Sequence, residues 1–574
     1  MKMKAKKITA LLLTTAMVAG ALSGCGTTPA GGTTSGDAAG GTTSGDTTVA
    51  SGDIIDYDMF IAMPGAEINE GNEIQEMIAE KTGVRVHETW LTGQTADEAV
   101  GTIIASGDLP ELIDGGDGMH ALYEAGSLIA WDDYIDKYPN IKEMYSDEEW
   151  DRFRQDDGHI YWANIFCNTY GESTATIHND EAFWIQARVL EWAGYPDIQT
   201  LDDYFNVIED YMAANPTMED GTANIPYTCL CEDWRYFCIE NAGEFLAGYP
   251  NDGSVIVDTD TMTIVDYNTT DITRDYFEKL NEEYNKGMID PEFATQTYDE
   301  YIAKLSTGAV LGMCDQWWDF NANVNDALKQ QGLDLQGCNY VPLGLTAEAG
   351  MDNMWHVYSD TQNISNGVGV TTACEDPERC FQFLNDILDQ EIHNLRFWGV
   401  EGVDYLVDEE TGLFYRTPEM RMQCADTEYK ASHMCNYSYL PQWGGTSRDG
   451  INAMLPNEQP SEFKSSLAEP LVNCLNAYGA DNYVDMIGSV VAETGPWYPM
   501  YSHSNAMTND TPGGVAWNRM GEIKHEYLPQ LVMASDFDAY WDLYMEAYNG
   551  ANPQDFLDEM QAELDRRAAA ADSE

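Results

Sequence analysis

Between Tyr57 and Asp114 the apolar pattern alternates between period 2 and period 3.6, and this alternation narrows the choice of fold more than any other feature. Tyr57–Met63 (YDMFIAM) reads as a strand closed by Pro64-Gly65. Glu73–Lys81 sets Ile74, Met77 and Ile78 at i, i+3 and i+4, one face of a helix that Gly83 stops. Val84-Arg85-Val86-His87-Glu88 alternates as a second strand, and Asp97–Ala105 is again helical until Ser106-Gly107-Asp108-Leu109-Pro110 breaks it. Glu111-Leu112-Ile113-Asp114 is a third strand, ending in Gly115-Gly116. This succession predicts an open, parallel α/β sheet. Ligands of such sheets bind at the carboxyl ends of the strands. Those ends are Pro64–Glu67, Glu88–Trp90 and Asp114–Asp117, so Glu67, Trp90, Asp114 and Asp117 are candidates for ligand contact.

The chain has 574 residues, room for two or three domains at about 150 residues each. Asp and Glu number 98 against 28 Lys and Arg, a net charge of −70. That field repels nucleic-acid phosphates and anionic lipid heads and disfavours polyanionic substrates; neutral and cationic ligands remain. Lys2, Lys4, Lys6 and Lys7 precede a short apolar stretch, Ile8–Leu22, too short and too interrupted to span a membrane and suited to a signal peptide. Leu22-Ser23-Gly24-Cys25 resembles the lipobox of bacterial lipoproteins. The resemblance implies cleavage after residue 24, a lipid on Cys25, and attachment to the outer face of the plasma membrane through that lipid alone. Residues 25–53 are Gly/Thr/Ser-rich, with near-copies of GGTTSGD, and read as a flexible tether to a body that starts at residue 54.

Cys229, Cys231 and Cys238 lack the second cysteine couple of a zinc site and read as small buried apolar residues, with one or two disulfides elsewhere. Asp258 and Asp260 fail the calcium-loop pattern because Thr263 stands where Gly is required. Metalloprotease, nucleophile-elbow, P-loop and dinucleotide motifs are absent from the sequence. No metal, no cofactor and no catalytic residue is expected.

Several stretches, in order, resemble the extracellular solute-binding proteins of family 1, the lipoprotein-type binding components of carbohydrate ABC transporters. They are ASGDLPELID (105–114), LYEAGSLIAWDDYI (122–135), DDGHIYWANIF (156–166), IHNDEAFWIQARVLEWAGYPDIQTLDDYFNVIEDY (177–211), YFEKLNEEYNKGMIDPEF (276–293), LSTGAVLGMCDQWW (305–318) and RFWGVEGVDYLVDEETGLFY (396–415). Asn179-Asp180 and Trp162-Ala163 depart from the family pattern. The resemblance implies a periplasmic-binding-protein-like α/β fold: two α/β lobes joined by hinge strands, with a C-terminal helical extension. Lobe one would be 54–168 plus 300–372 and lobe two 169–299 plus 373–500, with helices of 501–574 packing on lobe one and the hinge. It implies a non-enzymatic monomer that delivers a sugar, expected to be an oligosaccharide, to ABC permease subunits. A peptide or polyamine ligand, or a tethered surface glycosidase, are the alternatives.

A sugar presents apolar C–H faces and a rim of hydroxyls, so its site needs aromatic platforms and carboxylates or amides. Trp317-Trp318 follow an apolar run, Val310–Met313, and Asp315 would mark its cleft end. In maltodextrin-type relatives a Trp at this spacing stacks on ligand. Read as a strand, the pair points to opposite faces, so one Trp would reach the cleft. Glu232-Asp233-Trp234-Arg235-Tyr236 offers acids and aromatics, with Glu232, Asp233, Trp234 and Tyr236 as candidates. The acids read equally well as caps on a helix start. Tyr170 and Glu172 follow the first sheet, and Trp355, Trp443 and Trp497 lie in Gly- or Pro-marked loops.

Overall fold

A computed structural model describes residues 54–571 except 67, 165, 167, 252–254, 358–363, 490–494 and 496. The expected signal peptide, Cys25, the tether and Glu67 lie outside the described residues. The strands of the main sheets are β1 (Ile55–Ile61), β2 (Val84–Trp90), β3 (Leu112–Asp114), β4 (Trp162–Ala163), β5 (Glu181–Gln186), β6 (Ile225–Thr228), β7 (Val310–Gln316), β8 (Tyr340–Leu343) and β9 (Val368–Val370).

The first sheet has the order β2-β1-β3-β9-β4. β1 pairs in parallel with β2 and β3, which sets Trp90 and Asp114 on either side of Ile61. β9 runs antiparallel to both β3 and β4, so β1 to β4 all point one way. The helix Glu73–Thr82 that links β1 to β2 starts where the Asn72 side chain accepts the Gln75 N–H. It ends at Gly83, whose φ of 71° a side chain would resist. It buries Ile74 and Ile78, two of the apolar positions that predicted it. The strand–helix–strand reading of residues 57–114 therefore holds.

The second sheet has the order β8-β5-β7-β6, with β5 antiparallel to both neighbours and β7 parallel to β6. Each sheet has its own apolar core. One runs through β1–β4, β9 and the residues that follow to Met454; the other through β5–β8, Trp355 and residues 463–564. The chain passes between the cores in the stretches 164–180, 356–367 and 455–462, parts of which lie outside the described residues. Mixed sheets covered by helices, in two lobes, give the α/β class that the sequence predicts.

The partition of the chain between the lobes differs from the expectation. Residues 310–316 and 340–343, expected in lobe one, pair into the second sheet, because β7 seats between β5 and β6. The stretch 377–454, expected in lobe two, packs on the first core. The C-terminal helices Pro512–Val532, Phe537–Asn549 and Pro553–Ala571 cover the second lobe, not the first. The Asn281 amide, on the helix Asp271–Lys286, donates to the carbonyls of Val532 and Ala534 at 2.9 and 2.7 Å, and Trp517 stacks on Phe556 at 4.9 Å. The expected disulfides are absent among the described residues, where every cysteine is free and most are buried, as small apolar side chains in cores large enough without a staple. No helix among the described residues is long and apolar enough to cross a membrane.

Candidate functional site

The carboxyl edge of the first sheet gathers aromatic and acidic side chains. Trp90 ends β2, and its ring meets Tyr439 edge-on at 5.4 Å; Tyr439 in turn meets Phe166 edge-on at 5.3 Å. Phe166 follows β4 at the same edge and is 57% exposed. Gly65 makes room for this stack, since a Cβ there would lie 2.1 Å from the Trp90 ring. The Asp114 carboxylate accepts the Gly116 N–H at 3.0 Å, yet burial lifts it to about 6. Burial lifts Glu88 to about 7, only partly offset by Arg396. Glu88 Oε1, Trp90 Nε1 and both polar atoms of the Asn168 side chain are buried with no hydrogen-bond partner among the described residues. Such groups are costly unless something pairs with them.

The second lobe contributes the turn Asp233–Tyr236 and the start of the helix Trp317–Gln330. Asp233 has a φ of 51°, a left-handed conformation uncommon without glycine and frequent at binding sites. Trp234, 36% exposed, stacks parallel to Trp318 with ring centres 5.7 Å apart and planes 10° from parallel. Arg235 braces this platform from beneath. Its guanidinium lies 4.4 Å from the Trp234 ring and 4.0 Å from the Tyr298 ring. Its Nε donates to buried Asp319 at 2.8 Å. Cation–π contact and a desolvated ion pair together hold the turn in one geometry.

The two edges lie near enough for charges on one to act on groups of the other. The Asp117 carboxyl reaches solvent, yet it is raised by crowding and then by the carboxylates of Asp97 and of Asp233 on the other lobe. The Tyr439 hydroxyl is raised by burial and by Asp114, while Arg235 of the second lobe pulls it the other way. The candidate inter-lobe gap has Trp90, Tyr439 and Phe166 on the first-lobe side and Trp234 and Trp318 on the second-lobe side. Asp114, Asp117 and Asp233 stand on its walls.

The gap brings together Trp90, Asp114, Asp117, Asp233, Trp234 and Trp318 of the candidates read from sequence. Other candidates are turned away from it. Trp317 is a core residue, with its ring 5.1 Å from Trp184 and 5.4 Å from Tyr483. The two Trp open a helix rather than extend a strand, so their side chains diverge by about 100° and only Trp318 faces outward. Asp315 is fully buried, accepting from the Tyr301 hydroxyl at 2.6 Å and from the Cys238 thiol at 3.3 Å. Glu232 is a cap: its Oε2 accepts the Tyr298 N–H at 2.5 Å, in the first turn of the helix Tyr298–Ser306. Tyr236 is buried, its hydroxyl donating to the Lys524 carbonyl and its ring 4.0 Å from His525. Trp355 stacks on Phe245 at 4.3 Å in the second core. Trp443 is buried in the first core, its indole donating to the Leu388 carbonyl at 3.2 Å.

Tyr170 packs edge-on against Trp443 at 5.7 Å with Arg448 over its ring. The exposed Glu172 joins the turn at Thr446 through its carbonyl. Trp497 lies against the second core, its carbonyl held by Arg567 at 2.7 Å. No ring contact or hydrogen bond recorded among the described residues joins these three to the gap residues. Sequence reasoning missed Phe166, Tyr439 and Arg235. The strand-end rule would have found Phe166 had β4 been recognised. Tyr439 sits in an aperiodic loop and carries no local signal.

No family model and no curated protein matches the chain. Solved structures do. The ABC-transporter substrate-binding protein FusA of S. pneumoniae, an EF-hand mutant in complex with fructo-nystose, superposes with a TM-score of 0.63 at 19% identity, covering 90% of this chain and 100% of FusA. The alginate-binding protein AlgQ2 gives 0.61 at 15% identity, covering 89% and 98%. The N-glycan transport solute-binding protein NgtS of Streptococcus pneumoniae gives 0.55 at 13% identity, covering 90% and 99%. The chain has the fold of ABC-transporter solute-binding proteins.

Proposed function

We propose that this solute-binding fold captures a carbohydrate, an oligosaccharide by preference, in the gap between its lobes and delivers it to the permease of an ABC importer. The observation that carries the reading is the pairing of two aromatic clusters, Trp234–Trp318 and Trp90–Tyr439–Phe166, across a gap walled by carboxylates. Aromatic faces suit the C–H faces of a pyranose, and carboxylates suit its hydroxyls. FusA and NgtS, which share this fold, have been solved in complex with fructo-nystose and with Man5GlcNAc, which supports the same ligand class. The acidic walls disfavour anionic sugars. A ligand bridging both clusters would stabilise the closed arrangement, because its contacts to both lobes exist only there. The protein performs no chemistry on the sugar in this reading. Cys25 would hold it to the membrane through a lipid.

A thermal-shift screen against neutral oligosaccharides, peptides and polyamines tests the ligand class. At a ligand concentration of about 100 Kd, binding adds about 2.7 kcal/mol to stability, which raises Tm measurably. The expected result is a rise with one class of oligosaccharide that Trp234→Ala abolishes, with no sugar cleaved. A rise only with peptides or polyamines would replace the ligand and keep the fold, and release of sugar products would replace transport with hydrolysis.

A further inference from the structure

Outside the gap, the imidazoles of His178 and His356 come together where two of the inter-lobe stretches meet the second lobe. Their Nδ1 atoms are 3.1 Å apart, and a carboxylate oxygen of Asp180 lies within 4.8 Å of a ring nitrogen of each. His178 is fully buried, His356 half-buried and Asp180 exposed. The Nε2–H of His178 has a partner, since that nitrogen lies 2.8 Å from the Glu181 carbonyl, which can only accept. The proton is therefore on Nε2, and the Nδ1 lone pair points at His356. His356 is itself held in place, its backbone N–H donating to Ser489 Oγ at 3.0 Å, and Ser489 donating on to the Asn353 carbonyl at 3.1 Å.

We propose that His178 Nδ1, His356 Nδ1 and the Asp180 carboxylate form a binding site for a divalent transition-metal ion of the zinc class. Two nitrogens bound to one tetrahedral ion at about 2.0–2.1 Å sit about 3.3 Å apart, close to the separation of these two Nδ1 atoms. A hydrogen bond between the rings would account for that separation but not for the carboxylate beside them. A ligating His normally donates its other N–H to a carbonyl or carboxylate, as His178 does to Glu181. Two imidazoles and a carboxylate select zinc-class ions over calcium and magnesium, which demand oxygen. Exposed Asp180 supplies the entry path, and three protein ligands leave a position for water. The other cluster of this kind among the described residues, Cys238, Asp315 and Asp319, is sealed in the core and already engaged with Tyr301 and Arg235. His178 ends the crossing from first to second lobe and His356 lies in the crossing back, so an ion here ties the two together on the second-lobe side. The proposal does not depend on which ligand the gap takes.

The test uses the full-length chain stripped with a chelator and titrated with cobalt(II), with calcium and magnesium in large excess to occupy the many surface carboxylates. The expected result is one equivalent bound, with the visible absorption of four-coordinate cobalt displaced by zinc. His356→Ala, at a half-exposed position, should weaken binding at least 100-fold while leaving the Tm of the metal-free chain nearly unchanged. On the unaltered chain, copper(II) should give an electron paramagnetic resonance spectrum with hyperfine structure from two imidazole nitrogens. Binding abolished by calcium excess, an absorption band unchanged in His356→Ala, or a copper spectrum with oxygen ligands alone would each overturn the site.

Discussion

Trp317 and Trp318 are adjacent and have opposite surroundings, one sealed against Trp184, Phe320 and Tyr483, the other stacked on Trp234 at the gap. Trp317→Ala should therefore cost about 3–5 kcal/mol of stability, read by denaturant unfolding, whereas Trp318→Ala should cost far less. Equal losses for the two would contradict their placement. Glu88 makes a pH prediction. Its folded pKa, about 7, lies above the ordinary value of 4.5, so the native state holds the proton more tightly than the unfolded chain. The stability this contributes is complete below pH 4.5 and is lost as pH rises through 7, by at most about 3 kcal/mol. In Glu88→Gln that slope should be missing from the Tm-versus-pH curve, and the variant should be the more stable above pH 7. A variant whose curve parallels that of the parent would place Glu88 in water.

At the scale of elements, the first three strands fall where the period-2 runs placed them, and several helices start on a polar side chain that caps them. Asn72, Thr95 and Thr297 each accept a backbone N–H at the start of a helix, as their residue types lead one to expect. Glu232 shows the limit of such reading. It sits beside the aromatic platform in sequence, yet its carboxylate serves a helix that begins at Tyr298, far along the chain. Glu232→Ala should lower stability by about 1 kcal/mol, seen in an unfolding titration, and leave sugar affinity within about twofold. A tenfold loss of affinity with unchanged stability would return Glu232 to the ligand.

For the whole molecule, the two cores set the lobes, and the proposed address rests on the segments through Cys25. The lipid reading belongs here. Metabolic labelling with a fatty-acid analogue should mark the chain, and Cys25→Ser should lose the label and leave the membrane fraction. Label retained in Cys25→Ser would move the anchor elsewhere. The lobes are also a property of the whole. β7 joins the second sheet and β9 the first although fewer than sixty residues separate them, because each completes a different sheet.

Sequence by itself determined the α/β class, the strand and helix alternation of residues 57–114, the net charge, and the aromatic and acidic stock of the gap. These follow from local periodicity, from cap chemistry and from composition, none of which needs a partner distant in the chain. Tertiary structure decided which aromatics face the gap. Trp234, Trp318, Trp90 and Tyr439 are exposed or buried by what packs on them from distant parts of the chain, and so are Trp355 and Trp443, which no local pattern distinguishes. It also decided where the C-terminal helices dock and that His178 meets His356, since long-range packing alone brings together residues 178 positions apart.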